Sequence, residues 1–282
     1  MGSRCRIVLF APNEAIAAAA ADEAFEEVFR IEQILTNYNP NSEAMRVMRL
    51  PHNEWHPVSA TLSDILAISK LVYQHSNGAF DPTIGALTHL WRKTTQQNRI
   101  PTDSELDRAR AVSGFENLEL NLKTSSIRAL TEGMILDFGG IGKGYAADHA
   151  FDVLVRRGYR SAMVDIGGDL ILGDPPPNGI PGWKIEVQSG IGLTKHLILS
   201  NCGIATSGDL ERHITYEGVR YSHILDPRTG IGLTEQRAVA VIAEDGTLAD
   251  ALASSFSVLN TVNSKLSDAF PNTTIHFFSA HD

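Results

Sequence analysis

A glycine-rich turn between an apolar run and a helical pattern constrains the fold of this chain most. The apolar run Met134–Leu136 ends in Asp137, and four glycines follow within Gly139–Gly144. Apolar residues recur at helical spacing from Tyr145 onward, so the stretch predicts a strand, a tight turn and a helix. Glycine lets backbone amides approach a phosphate, a helix N-terminus attracts anions, and Lys143 adds a positive charge. Because the spacing matches neither the P-loop nor the GxGxxG pattern, an anion site and a structural turn both stay open.

Composition restricts the classes of function. Of the 282 residues, 43% are hydrophobic and 20% are charged, which is typical of a globular protein. The formal net charge is −9 and the chain has no Lys/Arg-rich run, which argues against sequence-independent binding of nucleic acid. No apolar run approaches the roughly 18 residues of a membrane-spanning helix. Cys5 and Cys202 are too few for a disulfide framework and are expected to be buried thiols.

Apolar periodicity elsewhere in the chain predicts both helices and strands. Helices are predicted from about Glu14, from near Thr61 with an acidic residue three positions later as a cap, and from near Thr247. The predicted strands are Cys5–Phe10, Leu118–Leu122, Ser126–Leu130, Ser161–Leu172, Trp183–Gln188, Lys195–Leu199 and Ala238–Ala243. The polar stretch Asn98–Asp107 and the proline-rich stretch Asp174–Gly182 are predicted loops, the second as a lid or a domain crossing.

Several side chains outside the turn are candidates for a function, although each also has a structural interpretation. The proline after Asp81 fixes this residue in an extended conformation, as in many ordinary turns. Tyr38 lies among turn-forming residues and is either a surface anchor or a ring that stacks on a planar ligand. His223 is predicted on a strand, where a histidine more often belongs to the core. Asp250 and Ser254 lie four residues apart on a helix face other than the buried stripe. Their oxygens either bind Mg²⁺ together with a third ligand, or the aspartate caps its helix.

Taken together, these stretches resemble the FAD:protein FMN transferase family, known as ApbE. Eight segments match in the family's order across nearly the whole chain: Met1-Gly2-Ser3, Asn37-Tyr38, Gly78–Thr83, Leu136–Asp148, Val164–Asp169, Ala205–Asp209, His223–Gly230 and Asp250–Ser254. The resemblance implies a mixed α/β (α+β) architecture of the tunnelling-fold type, with FAD in a cleft. It also implies a single unit over residues 1–282, or two subdomains that meet at this cleft.

The resemblance also implies roles for individual residues. The implied flavin-binding residues are Met1, Tyr38, Ala79, Phe80, Asp81, Asp137, Lys143, His223 and Ile224. The implied Mg²⁺ ligands are the backbone carbonyl of Gly140 and the side chains of Asp250 and Ser254. Lys143 and the turn amides would steady phosphate oxygens, and His223 would be the catalytic base. The family usually has Thr where this chain has Ser254, which keeps the hydroxyl, and Ala where it has Gly142, which is expected to loosen the turn.

The activity implied by the resemblance is transfer of the FMN half of FAD to a Thr or Ser hydroxyl of a partner protein, with release of AMP. The expected partner is a flavoprotein with a Ser/Thr-Gly-Ala-Thr-type acceptor segment, a membrane redox subunit. One rival is a FAD pyrophosphatase that uses water as the nucleophile. Tyr38 favours the transferase, because some hydrolytic relatives have Asn there. The other rivals are a non-catalytic flavin-binding protein and a purely structural protein.

The resemblance also bears on the compartment. Members of the family modify their partners outside the cytoplasm, which implies a periplasmic or cell-envelope location. The N-terminus shows no signal peptide. A leader removed before this chain begins and a cytoplasmic location therefore both stay open.

Overall fold

The computed structural model describes residues 2–177, 179–188, 194–208 and 213–279. The helices in this part of the chain are α1 (Glu14–Leu35), α2 (Glu43–Val47), α3 (Ala60–His75), α4 (Gly85–Gln96), α5 (Asp103–Arg110), α6 (Gly142–Arg156), α7 (Gly246–Leu259) and α8 (Ser264–Ala269), with a short 3₁₀ helix at Phe115–Asn117. None of these helices combines the length and the apolar character that a membrane-spanning helix requires.

The strands of the described residues form one large sheet and several small ones. They are β1 (Cys5–Leu9), β2 (His56–Pro57), β3 (Leu118–Asn121), β4 (Ser126–Ala129), β5 (Ala162–Ile166), β6 (Asp169–Leu172), β7 (Trp183–Gln188), β8 (Thr194–Leu199), β9 (Cys202–Gly208), β10 (His213–Tyr216), β11 (Val219–Ser222), β12 (Leu225–Asp226), β13 (Ile231–Gly232), β14 (Arg237–Ala243) and β15 (Thr274–Ser279). The large sheet is antiparallel, with the order β1-β5-β6-β9-β14-β15. β2, β4 and β3 form a second sheet, and the remaining strands pair two by two.

Both faces of the large sheet are buried. Alternate side chains of a strand point to opposite faces, so neighbouring residues of one strand belong to different cores. On β14, Val239 and Val241 belong to the main core that the sheet shares with α1, α6 and α7. Ala238 and Ala240 belong to a second core, which includes Ile185 of β7. The sheet therefore lies between a helical layer and the β7–β8 hairpin.

The long helix α1 confirms the prediction from the sequence. Its alanine-rich stretch favours helix, and the side chain of Asn13 caps it by accepting a hydrogen bond from the Ile16 amide at 3.0 Å. Ala24, Ile31 and Leu35 are buried on the predicted stripe. The predicted strand at the start of the chain, the β3 and β4 strands, the β7–β8 hairpin, β14 and the helix near residue 247 are confirmed as well.

The central glycine-rich stretch differs from its prediction. The run Met134–Leu136 is not a strand, because only Ile135 pairs, in an isolated parallel bridge with Ile84. The helix begins at Gly142, three residues before Tyr145. The Gly142 amide donates to the Phe138 carbonyl at 2.7 Å, so the later glycines belong to the first helical turn.

Four further predictions are wrong at the level of local structure. Ser161–Leu172 is a hairpin rather than one strand, because Gly167 and Gly168 adopt φ values of 63° and 93° and form its two-residue turn. The cap of α3 is Ser59, whose hydroxyl accepts from the Leu62 amide at 3.2 Å. The stretch Asn98–Asp107 is not entirely a loop, since a capping box at Thr102 starts α5 within it. The free thiols Cys5 and Cys202 are half-buried rather than buried.

The helices α6 and α7 cross at two glycines. A Cβ on Gly144 would lie 2.0 Å from the carbonyl oxygen of Gly246, so only glycine permits this approach. Asp245 is the N-cap of α7, and Asp148 of α6 accepts hydrogen bonds from the next two amides, those of Gly246 and Thr247, at 2.8 Å each. In return, the Gly144 amide at the start of α6 donates to Asp250 Oδ2 at 3.1 Å. Each helix thus receives a carboxylate from the other at its N-terminus.

We expect Gly142→Ala to stabilise the protein and Gly144→Ala to destabilise it. A Cβ on Gly142 would make ordinary contacts with Phe138 at 3.5 Å and Leu35 at 3.9 Å. Because alanine loses less backbone entropy on folding, the free energy of unfolding should rise by about 0.4–1 kcal/mol. At Gly144 the clash with the Gly246 carbonyl should lower it by about 1–3 kcal/mol or more. Urea denaturation of both variants measures the two effects, and a lower stability of Gly142→Ala would show that the turn needs glycine there.

Candidate active site

A cleft of about 1550 Å³ runs past the N-terminal end of α6 and the end of the large sheet. The predicted site residues that line it are Tyr38, Ala79, Phe80, Asp81, Asp137, Gly140, Lys143, His223, Ile224, Asp250 and Ser254. Met1 and Asp209 lie outside the described residues. The fold therefore brings the remaining predicted site residues to one cavity, which has the volume for a ligand larger than most drug-sized molecules.

A buried charge cluster lies at the base of the cleft. Lys143 Nζ forms an ion pair with Asp169 Oδ2, and the side chains of Asp169 and Asp250 are almost fully buried. Burial raises the pKa of both carboxyl groups. Burial alone lowers the pKa of Lys143, but the two carboxylates outweigh this effect and raise it above its usual range. Two carboxylates thus face one ammonium group, an arrangement that favours an additional cation.

Sequence reasoning missed Asp169 as a site residue. The available signal is the Gly-Gly-Asp sequence inside the apolar stretch Ser161–Leu172, which is predicted above as a single strand. In the structure, the glycines turn the chain so that Asp169 starts β6 with its side chain beside Lys143. The prediction that Asp250 lies off the buried face of its helix is also wrong. Asp250 is only 5% exposed, because α7 packs between α6 and the large sheet.

Three oxygen-bearing groups meet next to this cluster. A Cβ on Gly140 would lie 2.7 Å from Ser254 Oγ, so the backbone of the glycine turn packs directly against this hydroxyl. Asp250 lies one helical turn before Ser254 on α7. A main-chain carbonyl, a hydroxyl and a carboxylate are ligands that Mg²⁺ accepts. In the described part of the chain, no group of three or more His, Cys, Asp or Glu side chains is placed to hold a metal ion. A metal site here would therefore depend on main-chain and hydroxyl oxygens.

The amide of Gly144 does not point into the cleft as the sequence interpretation expects. This first-turn amide donates to Asp250 Oδ2, so a carboxylate of the protein itself lies at the N-terminus of α6. The hydrogen bond fixes the orientation of Asp250 toward Lys143. For a phosphate, the chain then offers the Lys143 ammonium group rather than the Gly144 amide.

Helix α4, which the sequence analysis did not predict, holds several other residues of the cleft in place. Thr88 donates a hydrogen bond to Asp137 Oδ2 at 2.6 Å, and the Gly139 amide donates to Asp137 Oδ1 at 2.9 Å. Arg92 lies over the ring of Tyr38, with its Cζ 4.5 Å from the ring centroid. The spacing of the buried residues Leu87 and Trp91 was the available signal for this helix.

Both carboxylate oxygens of Asp81 accept hydrogen bonds from other residues of the chain. Its Oδ1 accepts from the Thr83 amide at 2.8 Å and from the Thr83 hydroxyl at 2.6 Å, and its Oδ2 accepts from the Phe115 amide at 3.2 Å. Burial raises the pKa of Asp81 to about 6 despite these hydrogen bonds. Asp81 therefore shapes the loop that carries Phe80, and its contact with a flavin stays a prediction.

His223 lies at the rim of the cleft and is exposed. The prediction that it lies on a strand is wrong, because β11 ends at Ser222 and His223 follows in a bend. The Ile224 amide donates to Ser222 Oγ at 2.9 Å, which stabilises this bend. A tight turn follows at Asp226, where the Thr229 amide donates to the Asp226 carbonyl at 3.1 Å.

The comparison with protein families decides the relationship. The model of the ApbE family matches residues 1–269 of the chain. The chain belongs to the ApbE family. This result confirms the resemblance inferred from the eight segments.

Two curated relatives of the chain are named FAD:protein FMN transferase. The FAD:protein FMN transferase of Chlamydia muridarum is 32% identical over 250 residues, which cover 87% of this chain and 77% of that one. The FAD:protein FMN transferase of Treponema pallidum is 29% identical over 281 residues, which cover 92% and 76%. The crystal structure of the ApbE protein of Thermotoga maritima has a TM-score of 0.85 at 31% identity and covers 98% and 91% of the two chains. The predicted mixed α/β fold of the ApbE type is therefore confirmed.

We expect Asp81→Asn to flatten the pH dependence of stability of this ApbE protein. The pKa of Asp81 rises from 3.8 to about 6 in the folded state. Between these pH values the unfolded chain binds fewer protons, so the free energy of unfolding falls as pH rises from about 4 to 6, by up to about 3 kcal/mol. Urea denaturation across this pH range measures the slope. The exposed Asp64→Asn serves as the control. An unchanged slope in Asp81→Asn would contradict the assignment.

Proposed function

We propose that this protein is a Mg²⁺-dependent FAD:protein FMN transferase. It would transfer FMN from FAD to a Thr or Ser hydroxyl of a partner protein and release AMP. The observation that carries the proposal is the meeting of Gly140, Asp250, Ser254 and Lys143 in a cleft of about 1550 Å³. Oxygen ligands beside a lysine suit the diphosphate of a dinucleotide, and the names of the relatives supply the reaction.

The metal would be held by the carbonyl of Gly140, the carboxylate of Asp250 and the hydroxyl of Ser254. The excess negative charge of Asp169 and Asp250 over Lys143 supports a cation at this position. When bound, Mg²⁺ neutralises charge on the diphosphate and makes AMP a better leaving group. Serine in place of the family's usual threonine keeps the hydroxyl oxygen and so the donor set.

Lys143 would bind an oxygen of the phosphate under attack. Its pairing with Asp169 holds the ammonium group in place and keeps it protonated. A preorganised positive charge stabilises the negative charge that develops in the transition state. The role of Asp169 is therefore to position Lys143 rather than to contact the substrate.

His223 would act as the general base. The acceptor hydroxyl attacks the phosphorus on the flavin side of the diphosphate, and its proton passes to the imidazole. A new oxygen–phosphorus bond forms to the acceptor, the bond from this phosphorus to the bridging oxygen breaks, and AMP leaves. The exposed position of His223 at the rim supports this role, because a protein substrate must reach the residue from outside.

The partner and the compartment belong to the same proposal. The acceptor would be a flavoprotein with a Ser/Thr-Gly-Ala-Thr-type segment, as in a membrane redox subunit. An enzyme located in the periplasm or cell envelope would have access to such a subunit.

A transfer assay with FAD, Mg²⁺ and an acceptor peptide of this type tests the proposal. We expect the acceptor to gain the mass of FMN less water, and AMP to appear in equal amount. His223→Asn should slow the transfer by about 100-fold or more through loss of the base. The matched control is His52→Asn, since His52 is exposed and does not line the cleft. Free FMN with an unmodified acceptor would instead indicate a pyrophosphatase, and intact FAD would indicate a binding protein.

Thermal or urea denaturation with and without Mg²⁺, at a fixed FAD concentration, tests the metal ligands. At about 100 times its Kd, Mg²⁺ should raise the free energy of unfolding of the wild type by about 2.7 kcal/mol. Ser254→Ala should lose most of this gain because one ligand is removed. Ser255→Ala is the matched control, since this buried hydroxyl donates to the Ala251 carbonyl at 2.7 Å. The ligand assignment is wrong if the two variants keep the same Mg²⁺ effect.

A further inference from the structure

The polar face of α4 connects two cleft residues that come from separate parts of the chain. The guanidinium of Arg92 has its Cζ 4.5 Å from the ring centroid of Tyr38 and its Nη2 3.7 Å from Asp137 Oδ2. Thr88 lies one turn earlier, and its hydroxyl donates to the same Asp137 oxygen at 2.6 Å. Arg92 Nε donates to the Thr88 carbonyl at 3.3 Å, which orients its side chain along the helix. Arg92 therefore sits between an aromatic ring and a carboxylate.

Asn37 adds an unsatisfied donor beside this arrangement. The residue lines the cleft next to Tyr38 and is only 9% exposed. Its amide nitrogen is buried and has no hydrogen-bond partner among the described residues. An unpaired buried amide is costly, and such groups are commonly satisfied by a ligand or by water. The position of Asn37 in the cleft favours a ligand.

We propose that Arg92 is a positioning residue for the isoalloxazine ring of FAD, and that Asn37 donates a hydrogen bond to the polar edge of this ring. The inference rests on the proposed function, since it takes FAD as the ligand. Arg92 fixes the orientation of Tyr38 by a cation–π contact. Tyr38 is nevertheless 78% exposed, so its ring keeps surface for stacking on a planar ligand.

The chemistry of the three groups selects isoalloxazine over adenine. The pyrimidine edge of isoalloxazine presents a carbonyl acceptor, an N–H donor and a second carbonyl acceptor in a row. Asn37 supplies a donor, and the carboxylate of Asp137, which Thr88 and Arg92 hold in place, supplies an acceptor with lone pairs to spare beyond its two hydrogen bonds. Adenine offers no carbonyl acceptor to the Asn37 donor. The flavin end of FAD is therefore the better complement.

Isothermal titration of Arg92→Met with FAD, FMN and ADP tests the role of Arg92. We expect about tenfold weaker binding of FAD and FMN, both of which carry the isoalloxazine ring. Binding of ADP, which shares only the adenosine diphosphate part, should not change. Arg92→Lys keeps the charge but not the planar guanidinium, so it should restore part of the loss. Arg108→Met is the matched control, because Arg108 is an exposed helix residue that donates to Ser104 and does not line the cleft.

Asn37→Ala provides the second test. It should weaken FAD and FMN binding several-fold, again without an effect on ADP, and should raise KM for FAD more than it lowers kcat. Quenching of flavin fluorescence on binding should decrease in Arg92→Met, since Tyr38 is then less well oriented. A merely structural role of Arg92 would not separate FMN from ADP.

The outcomes distinguish this inference from the proposed function. If the wild type binds FAD but transfers nothing, the transferase proposal fails and the binding comparison still decides the role of Arg92. If Arg92→Met binds FAD as tightly as Arg108→Met, the inference is overturned even when transfer is normal. Weaker ADP binding with unchanged FMN binding would assign this end of the cleft to adenine and overturn it too. A wild type that binds neither FAD nor FMN overturns both proposals.

Discussion

The crossing of α6 and α7 is the contact on which the site depends. Side chains are absent at Gly144 and Gly246, so the two backbones approach closely enough for each helix to receive a carboxylate from the other. Asp148 accepts from the first turn of α7, and Asp250 accepts from the first turn of α6. Each carboxylate lies where the partial positive charge of a helix N-terminus stabilises it. Because the two helices lie far apart in the sequence, the crossing also brings Lys143 and Asp250 together at the base of the cleft.

The electrostatics of this wall follow from the same geometry. Burial raises the pKa of Asp169 and of Asp250, because the low-dielectric surroundings destabilise the ionised carboxylate relative to the neutral acid. One lysine does not balance two carboxylates in such surroundings. Carboxyl groups with perturbed pKa values cluster at functional sites, where a bound cation can stabilise their charged form. The Ser254 hydroxyl, which packs against the Gly140 backbone beside this cluster, would offer a divalent ion a further ligand.

Patterns within one segment could be predicted from the sequence, and contacts between segments could not. The stripe on α1 and the strand pattern of β7 each depend on local spacing, and both are confirmed. The apolar run Met134–Leu136 has the composition of a strand, but within the described residues it pairs only at Ile135, with Ile84. The site residues named from the family resemblance line the cleft, apart from Met1, which lies outside the described part. The resemblance did not identify Asp169, whose role depends on a hairpin turn that brings it to Lys143.

The residues expected to bind the substrate are held in place by helices from other parts of the chain. Asp250, the expected metal ligand, accepts a hydrogen bond from the Gly144 amide of α6. Asp137 and Tyr38 are held by Thr88 and Arg92 of α4. In both cases, the residue expected to touch the substrate is held by a helix from another part of the chain. A site of this kind loses precision when a supporting helix shifts, even if every ligand-binding residue is retained. We therefore expect Arg92 to affect flavin binding through Tyr38, and Thr88 to affect it through Asp137.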